Sequence, residues 1–364
     1  MDRRSFLRAS TVGGAAAAAT SLAAPAIAQG RTTCVIVSTW PRGFPGLGTG
    51  AERVAARITE LTDGAVTTEY YAAGERVGAF DAFDAVSAGD AQAYHGADYY
   101  WKGKHPAWSY VTAVPFGLVA AEQNAFFKYL GGRELWDELG DEFGIKGFHA
   151  GNTGVQMGGW FNKEMNSPED FRGLRMRIPG IGGDMMANMG VSVVSLPGGQ
   201  IYENLVSGAI DATEWVGPWN DYFLNLYQAA RYYYWPGVHE PGAALSMGFN
   251  KSWLTSLPSW QQAAIEAACG EENDRMLAEF NANNGTYLAR LVNEHGVQLR
   301  EFNDDIYDAF GVASDQTFEA IRAHSDLANR MHEAFLAARE NAGGWMNISD
   351  VPYLRQRNRV LGID

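Results

Sequence analysis

The chain has 364 residues, with 28 basic against 42 acidic side chains and a formal charge of −14. So acidic a surface argues against nucleic acid or anionic lipid as a partner, and it means that an anionic ligand must be captured by a local positive site. Beyond the N-terminal region no stretch holds about 18 unbroken apolar residues, so no permanent membrane anchor is expected there.

The N-terminus reads MDRRSFLRAS, runs through an alanine-rich stretch from Val12 to Leu22, and reaches the small-x-small signal Ala26-Ile27-Ala28. Residues 1–28 are therefore expected to be an export peptide, and Arg3-Arg4 before Ser5-Phe6-Leu7 resembles the twin-arginine type. A soluble periplasmic protein follows, its charge moved from −14 to −16 by removal of Arg3, Arg4, Arg8 and Asp2.

A first strand is expected over Thr32–Thr39, then the turn-rich PRGFPGLGTG and a helix from Ala51 to Leu61. The run Gly46-Leu47-Gly48-Thr49-Gly50 is similar to a nucleotide-binding loop but lacks the GxGxxG spacing. A strand over Val66–Tyr71, a helix over Ala79–Ala88 and a short segment toward Ala97 continue an alternating α/β pattern. Cys34 and Cys269 match no metal or redox spacing and are expected as two buried free thiols, although an oxidising compartment would let them pair.

The mature chain exceeds what one core usually serves, so two lobes are expected. Between Gly147 and Gly151 the chain is expected to cross into a second lobe, and GAALSMGFN reads as a strand returning to the first. The fold class is α/β: a two-lobed, hinged clamshell with a helical C-terminal tail. The boundaries are 29–149 plus 243–300 for lobe I, 150–242 for lobe II and 301–364 for the tail, with helices over Pro258–Glu294 and Asp304–Asn341.

Two stretches of the second lobe carry chemistry. In GLRMRIPG, Leu174, Met176 and Ile178 alternate with Arg175 and Arg177, and Pro179 ends the strand. Ligands gather beyond the carboxyl ends of such strands, which favours Arg177 over Arg175 as the clamp for a carboxylate. In IDATEWVGP, Glu214 sits between Thr213 and Trp215 where apolar rhythm gives way to Gly and Pro, a poor setting for a solvated helix-end acid.

These segments, with YYWKGK (Tyr99–Lys104), VPFGL (Val114–Leu118), GNTGVQMGGWF (Gly151–Phe161) and YYYWPGVHEPG, resemble the solute-binding subunit of tripartite ATP-independent periplasmic (TRAP) transporters. The resemblance spans nearly the whole mature chain and is strongest to the branch that binds 2-oxo and 2-hydroxy monocarboxylates such as pyruvate or lactate with a metal ion. It implies that Arg177 clamps the ligand carboxylate, that Gln156 contributes to ligand or metal binding, and that Glu214, Glu240 and the Trp215 carbonyl ligate sodium or calcium. Tyr100 is a further ligand contact from the first lobe. The chemistry agrees: a carboxylate beside an oxo or hydroxyl oxygen chelates hard cations, which take carboxylate, amide and carbonyl oxygens. His239 and Pro241 depart from the aromatic and glycine neighbours expected around Glu240, which bears on pocket size or metal choice. The seven histidines show no HExxH or paired spacing and are expected at surface or structural positions.

The partners implied are a small carboxylate, the transporter's membrane subunits and a second copy of the chain. Leu327, Met331, Phe335 and Leu336 in the tail are expected to need a partner surface. No nucleophile elbow or Ser/His/Asp arrangement supports an enzyme. The alternatives are a sugar-acid or C4-dicarboxylate binder, and a secreted metal-dependent hydrolase or lyase using Glu214 or Glu240 as base.

Overall fold

The computed structural model describes residues 31–363, so the expected export peptide lies outside the described residues. Thr32–Ser38 (β1), Val66–Tyr71 (β2), Ala93–Gly96 (β3) and Ile145–Asn152 (β4) belong to one five-stranded sheet. Its order is β2-β1-β3-β10-β4, where β10 is Ala244–Asn250. The first three strands are parallel, and β10 runs antiparallel between β3 and β4. Cys34, Ile36 and Val37 are fully buried on β1, as befits a strand covered on both faces. The two cysteines are buried free thiols in one core cluster.

The second sheet is six-stranded, with Gly159–Phe161 (β5), Arg175–Arg177 (β6), Ser192–Val194 (β7), Ala212–Thr213 (β8), Tyr232–Trp235 (β9) and Gln298–Glu301 (β11) in the order β11-β9-β5-β8-β6-β7. Three segments join the sheets: the loop after β4, the loop after β9, and the helix Ser259–Asn293. That helix has 35 residues and serves both lobes. Ile265 and Cys269 fill the first-lobe core, while Met276 and Phe280 pack in a cluster shared with Trp160, Trp215 and Trp219.

Several boundaries move. The helix after β1 begins at Leu47, inside the glycine run, because the run is packing material and not a phosphate loop. A Cβ on Gly48 would collide with the Pro41 carbonyl, and one on Gly46 would lie 2.9 Å from the Phe280 ring. β4 extends to Asn152 within the first sheet, so the crossing follows it. Residues 298–300 belong with the second lobe, since β11 pairs parallel with β9.

The tail also differs from expectation. The helix expected over Asp304–Asn341 is interrupted, its two main parts being Asp304–Arg322 and Asp326–Ala338, with Ser325 capping the second through Ala328 N at 3.1 Å. The first part packs on the helix Gly180–Asn188 and the second folds back on Gly132–Phe143. Leu327, Met331 and Phe335 are thus buried in their own chain, and Leu336 is half-buried. The apolar side chains left exposed lie further on, among them Trp345, Ile348, Tyr353, Val360 and Leu361, around a terminal helix, Asp350–Leu361, that buries no residue.

Candidate functional site

Arg177 ends β6, Glu214 follows β8, and Gln156, His239 and Glu240 lie on the two loops that connect the lobes. The backbone ties these pieces together. Glu214 N donates to the Arg177 carbonyl at 3.3 Å, Gln156 N to the Glu240 carbonyl at 3.1 Å, and Gly237 N to the Gln156 carbonyl at 2.9 Å. Crossover loops that bond each other and meet two strand ends make one floor from four separate parts of the sequence.

Strand periodicity alone puts Arg175 and Arg177 on the same side of β6, but their surroundings separate them. Arg175 is exposed and paired with Asp211, Nε to Oδ2 at 2.9 Å. Arg177 is 1% exposed, its Nη1 bonds Glu214 Oε1 and, at 3.1 Å, the Glu214 carbonyl, and its Nε donates to Leu196 O at 3.0 Å. The guanidinium lies 5.2 Å from the centre of the Trp215 ring. One donor is left over: Arg177 Nη2 is buried without a partner.

Glu240 and Gln156 are equally incomplete, whereas both oxygens of Glu214 are bonded. Glu240 is buried with Oε2 unpartnered, and Gln156 spends its amide nitrogen on Thr153 Oγ1 at 3.0 Å while its Oε1 has no donor. Burial, and next the like charge of Glu214, push the Glu240 carboxyl up to about 8, against opposing contributions from His239, Arg177 and Tyr99. His239 bonds Glu214 Oε2 through Nε2 at 3.2 Å. Burial works against its cation, but the hydrogen bond and the charges of Glu214 and Glu240 prevail, so its pKa is raised. Ligand-capable atoms of Glu214, His239 and Glu240 lie within 4.8 Å of one another. A buried group of acceptor oxygens without donors suits a cation, and an unspent guanidinium nitrogen beside it suits a carboxylate.

The first lobe closes the site with aromatic rings. Trp40 and Phe44 stand edge-on to Trp215 with ring centres 6.2 Å away in each case, and Tyr99 and Tyr100 meet at 4.9 Å. Gly180, with φ of 62°, admits Tyr99: a Cβ there would lie 3.1 Å from its ring. Lys102 bridges the lobes to Asp184 at 2.5 Å, and Asn220 Nδ2 donates to Pro45 O at 2.9 Å. The lobes are therefore closed, and a ligand reaches the site only when they part.

Arg177, Glu214, Glu240, Gln156 and Trp215 come together, with Tyr100 half-buried at the aromatic edge. His239 is buried inside the cluster, bonded to Glu214. Trp40 and Phe44 were not anticipated; Tyr99 belongs to the YYW cluster, whose aromatics suit a cleft wall. His95, by contrast, is structural, its ring nitrogens bonded to Trp40 Nε1 at 2.8 Å and to the Ala150 carbonyl at 3.1 Å.

Two α/β lobes that enclose a cluster of buried, partly unsatisfied polar groups have the architecture of a solute receptor. The chain belongs to family 7 of the bacterial extracellular solute-binding proteins, the DctP family of TRAP transporters, whose sequence profile matches residues 36–324. It is 40% identical over 318 residues to the monocarboxylate 2-oxoacid-binding periplasmic protein of Nostoc sp., covering 87% of each chain. A TRAP solute-binding protein from Pseudoalteromonas atlantica with bound sodium and pyruvate is 35% identical, with a TM-score of 0.87 over 89% of this chain and 99% of that one. One from Bordetella bronchiseptica, a dimer with copurified calcium and picolinate in one active site and the other apo, is 33% identical, with a TM-score of 0.89 over 91% and 98% of the chains.

Proposed function

We propose that this protein captures a small 2-oxo or 2-hydroxy monocarboxylate, such as pyruvate or lactate, together with a cation in the periplasm and delivers it to the membrane subunits of a TRAP transporter. The observation that carries this reading is that Arg177, Glu240 and Gln156, gathered into one buried cluster around Glu214, each keep a polar atom without a partner: the donor Arg177 Nη2 and the acceptors Glu240 Oε2 and Gln156 Oε1. Arg177 would take the carboxylate. Glu214, Glu240, Gln156 and the Trp215 carbonyl would hold the ion, and the ligand's oxo or hydroxyl oxygen would complete its shell. The ion supplies charge balance: without it, two glutamates and a ligand carboxylate would share a buried space with one arginine. Trp40, Phe44, Tyr99 and Tyr100 exclude water and limit the ligand to a short tail.

The binder reading needs no turnover. A C4-dicarboxylate would require a positive partner for its second carboxylate, and among the described residues the cluster brings in a single arginine. Dimerisation belongs to the same proposal: the exposed apolar side chains around Asp350–Leu361 would be covered by a second copy, as a dimer is known for the Bordetella relative.

Titration calorimetry with pyruvate tests the reading. Arg177→Ala is expected to lose about 3 kcal/mol, over a hundredfold in affinity. Arg175→Ala, which removes an exposed pair, is expected to change affinity by less than about threefold. Equal losses would remove Arg177 from its assigned role.

A further inference from the structure

We propose that His239 is a positioning residue of the cation site: it fixes the Glu214 carboxylate at a set separation from Glu240, so that both acids present oxygens to one ion, and does not ligate that ion itself. The inference rests on reading the cluster as a cation and carboxylate pocket, and deepens it by assigning how the two acids are held.

Glu214 and Glu240 come from different parts of the chain, one just after β8 and the other on the loop between β9 and β10. Ligand-capable atoms of the two lie within 4.8 Å of each other, and both residues are buried. Carboxylates brought that close repel, so other groups must enforce their separation. Glu214 is held from two sides: Arg177 Nη1 bonds Oε1, and His239 Nε2 bonds Oε2 at 3.2 Å. The second bond is the one that reaches across to the loop of the other acid, since His239 and Glu240 are consecutive. That loop is tied down in turn, with Gln156 N on the Glu240 carbonyl at 3.1 Å and Phe116 N on the Val238 carbonyl at 3.0 Å.

The imidazole is confined. A Cβ on Gly182 would lie 2.8 Å from the His239 Cβ, so the helix Gly180–Asn188 packs directly against the stem of the side chain. Nδ1 has no partner, which makes the bond to Glu214 the only one the ring forms among the described residues. His95, a packing histidine, has both ring nitrogens bonded instead. A carboxylate oxygen carries two lone pairs, so Oε1 and Oε2 of Glu214 can each keep an N–H donor and still face a cation. Hydrogen bonds that orient a ligating group in this way typically change metal affinity by about 10- to 100-fold.

The test is a calcium titration of chelator-stripped, full-length mature protein in sodium-free buffer with pyruvate present, followed by a pyruvate titration at saturating calcium. His239→Phe, which keeps a ring but no donor, is expected to weaken calcium binding about tenfold or more while pyruvate affinity at saturating calcium stays within about threefold of the wild type. His239→Gln, whose amide N–H reaches about as far as Nε2, is expected to bring calcium affinity back to within about threefold. His239→Asn, too short to reach Oε2, makes the same comparison if the phenylalanine variant does not fold by circular dichroism. In the metal-free wild type, nitrogen NMR of the imidazole is expected to show a hydrogen-bonded proton on Nε2, a readout that depends on no ion. Wild-type calcium affinity in a folded variant without the donor, no recovery in folded His239→Gln, or an unprotonated Nε2 would each overturn the inference. Pyruvate binding that requires calcium in the wild type would then leave the proposed function standing, whereas pyruvate bound equally well without any cation would overturn both.

Discussion

Asp221 and Glu240 are both buried in the second lobe, yet their surroundings have opposite characters. Asp221 accepts from Trp160 Nε1 at 2.9 Å, the Tyr233 hydroxyl at 2.6 Å, Val216 N at 3.2 Å and Gly217 N at 3.1 Å. Glu240 keeps an oxygen with no donor and faces the like charge of Glu214. Burial raises both carboxyls, but the hydrogen bonds hold Asp221 to about 6 while Glu240 reaches about 8. A saturated acid fixes the loop that carries Glu214 and Trp215; an unsaturated one keeps an oxygen available to a ligand.

The comparison predicts different failures. Asp221→Ala would strand an indole N–H, a phenol and two backbone N–H groups, and is expected to cost about 4 kcal/mol of stability by urea denaturation, near the upper end for a single change. Glu240→Gln is expected to leave the metal-free protein as stable as the wild type or more so, while weakening cation binding about a hundredfold by calorimetry. A large stability loss in that variant would make Glu240 a structural acid like Asp221.

pH sharpens the distinction. In metal-free protein the folded state holds the Glu240 proton longer than the unfolded chain does, so stability is highest below the ordinary value of 4.5 and falls as pH rises toward about 8. Glu240→Gln should flatten that part of a melting-temperature profile measured in chelator. Cation binding, which needs the carboxylate, should strengthen over the same range. The smallest effect on folding is expected from ending the chain at Gly343: light scattering should report a monomer, with the melting temperature changed by only a few degrees. A dimer that survives would place the interface elsewhere.

The sequence made the chemistry of the strand ends readable. Alternation in GLRMRIPG puts Arg175 and Arg177 on one side of the strand, the break at Pro179 favours Arg177 as the strand-end side chain, and Glu214 stands out because its neighbours change from strand to Gly-Pro loop. What it concealed depended on contacts between distant segments. QLRE shows no local sign of which sheet β11 joins. The glycines at 46 to 50 resemble a loop until Pro41 and Phe280 are seen to leave no room for side chains. Leu327, Met331 and Phe335 advertise burial without saying whose surface covers them, and the chain's own return at Ser325 supplies it. His239 carries no spacing signature because its companions are Glu214, a neighbour only in space, and Glu240, the next residue.

Pyruvate titration of protein chelated in sodium-free buffer, repeated after restoring a cation, tests the central claim most directly. Binding that is weak or absent without the ion and restored at one pyruvate per chain with it is the predicted result. Undiminished affinity, with mass spectrometry showing that no ion remains, would contradict the account of Glu214, Glu240 and Gln156 as a cation site.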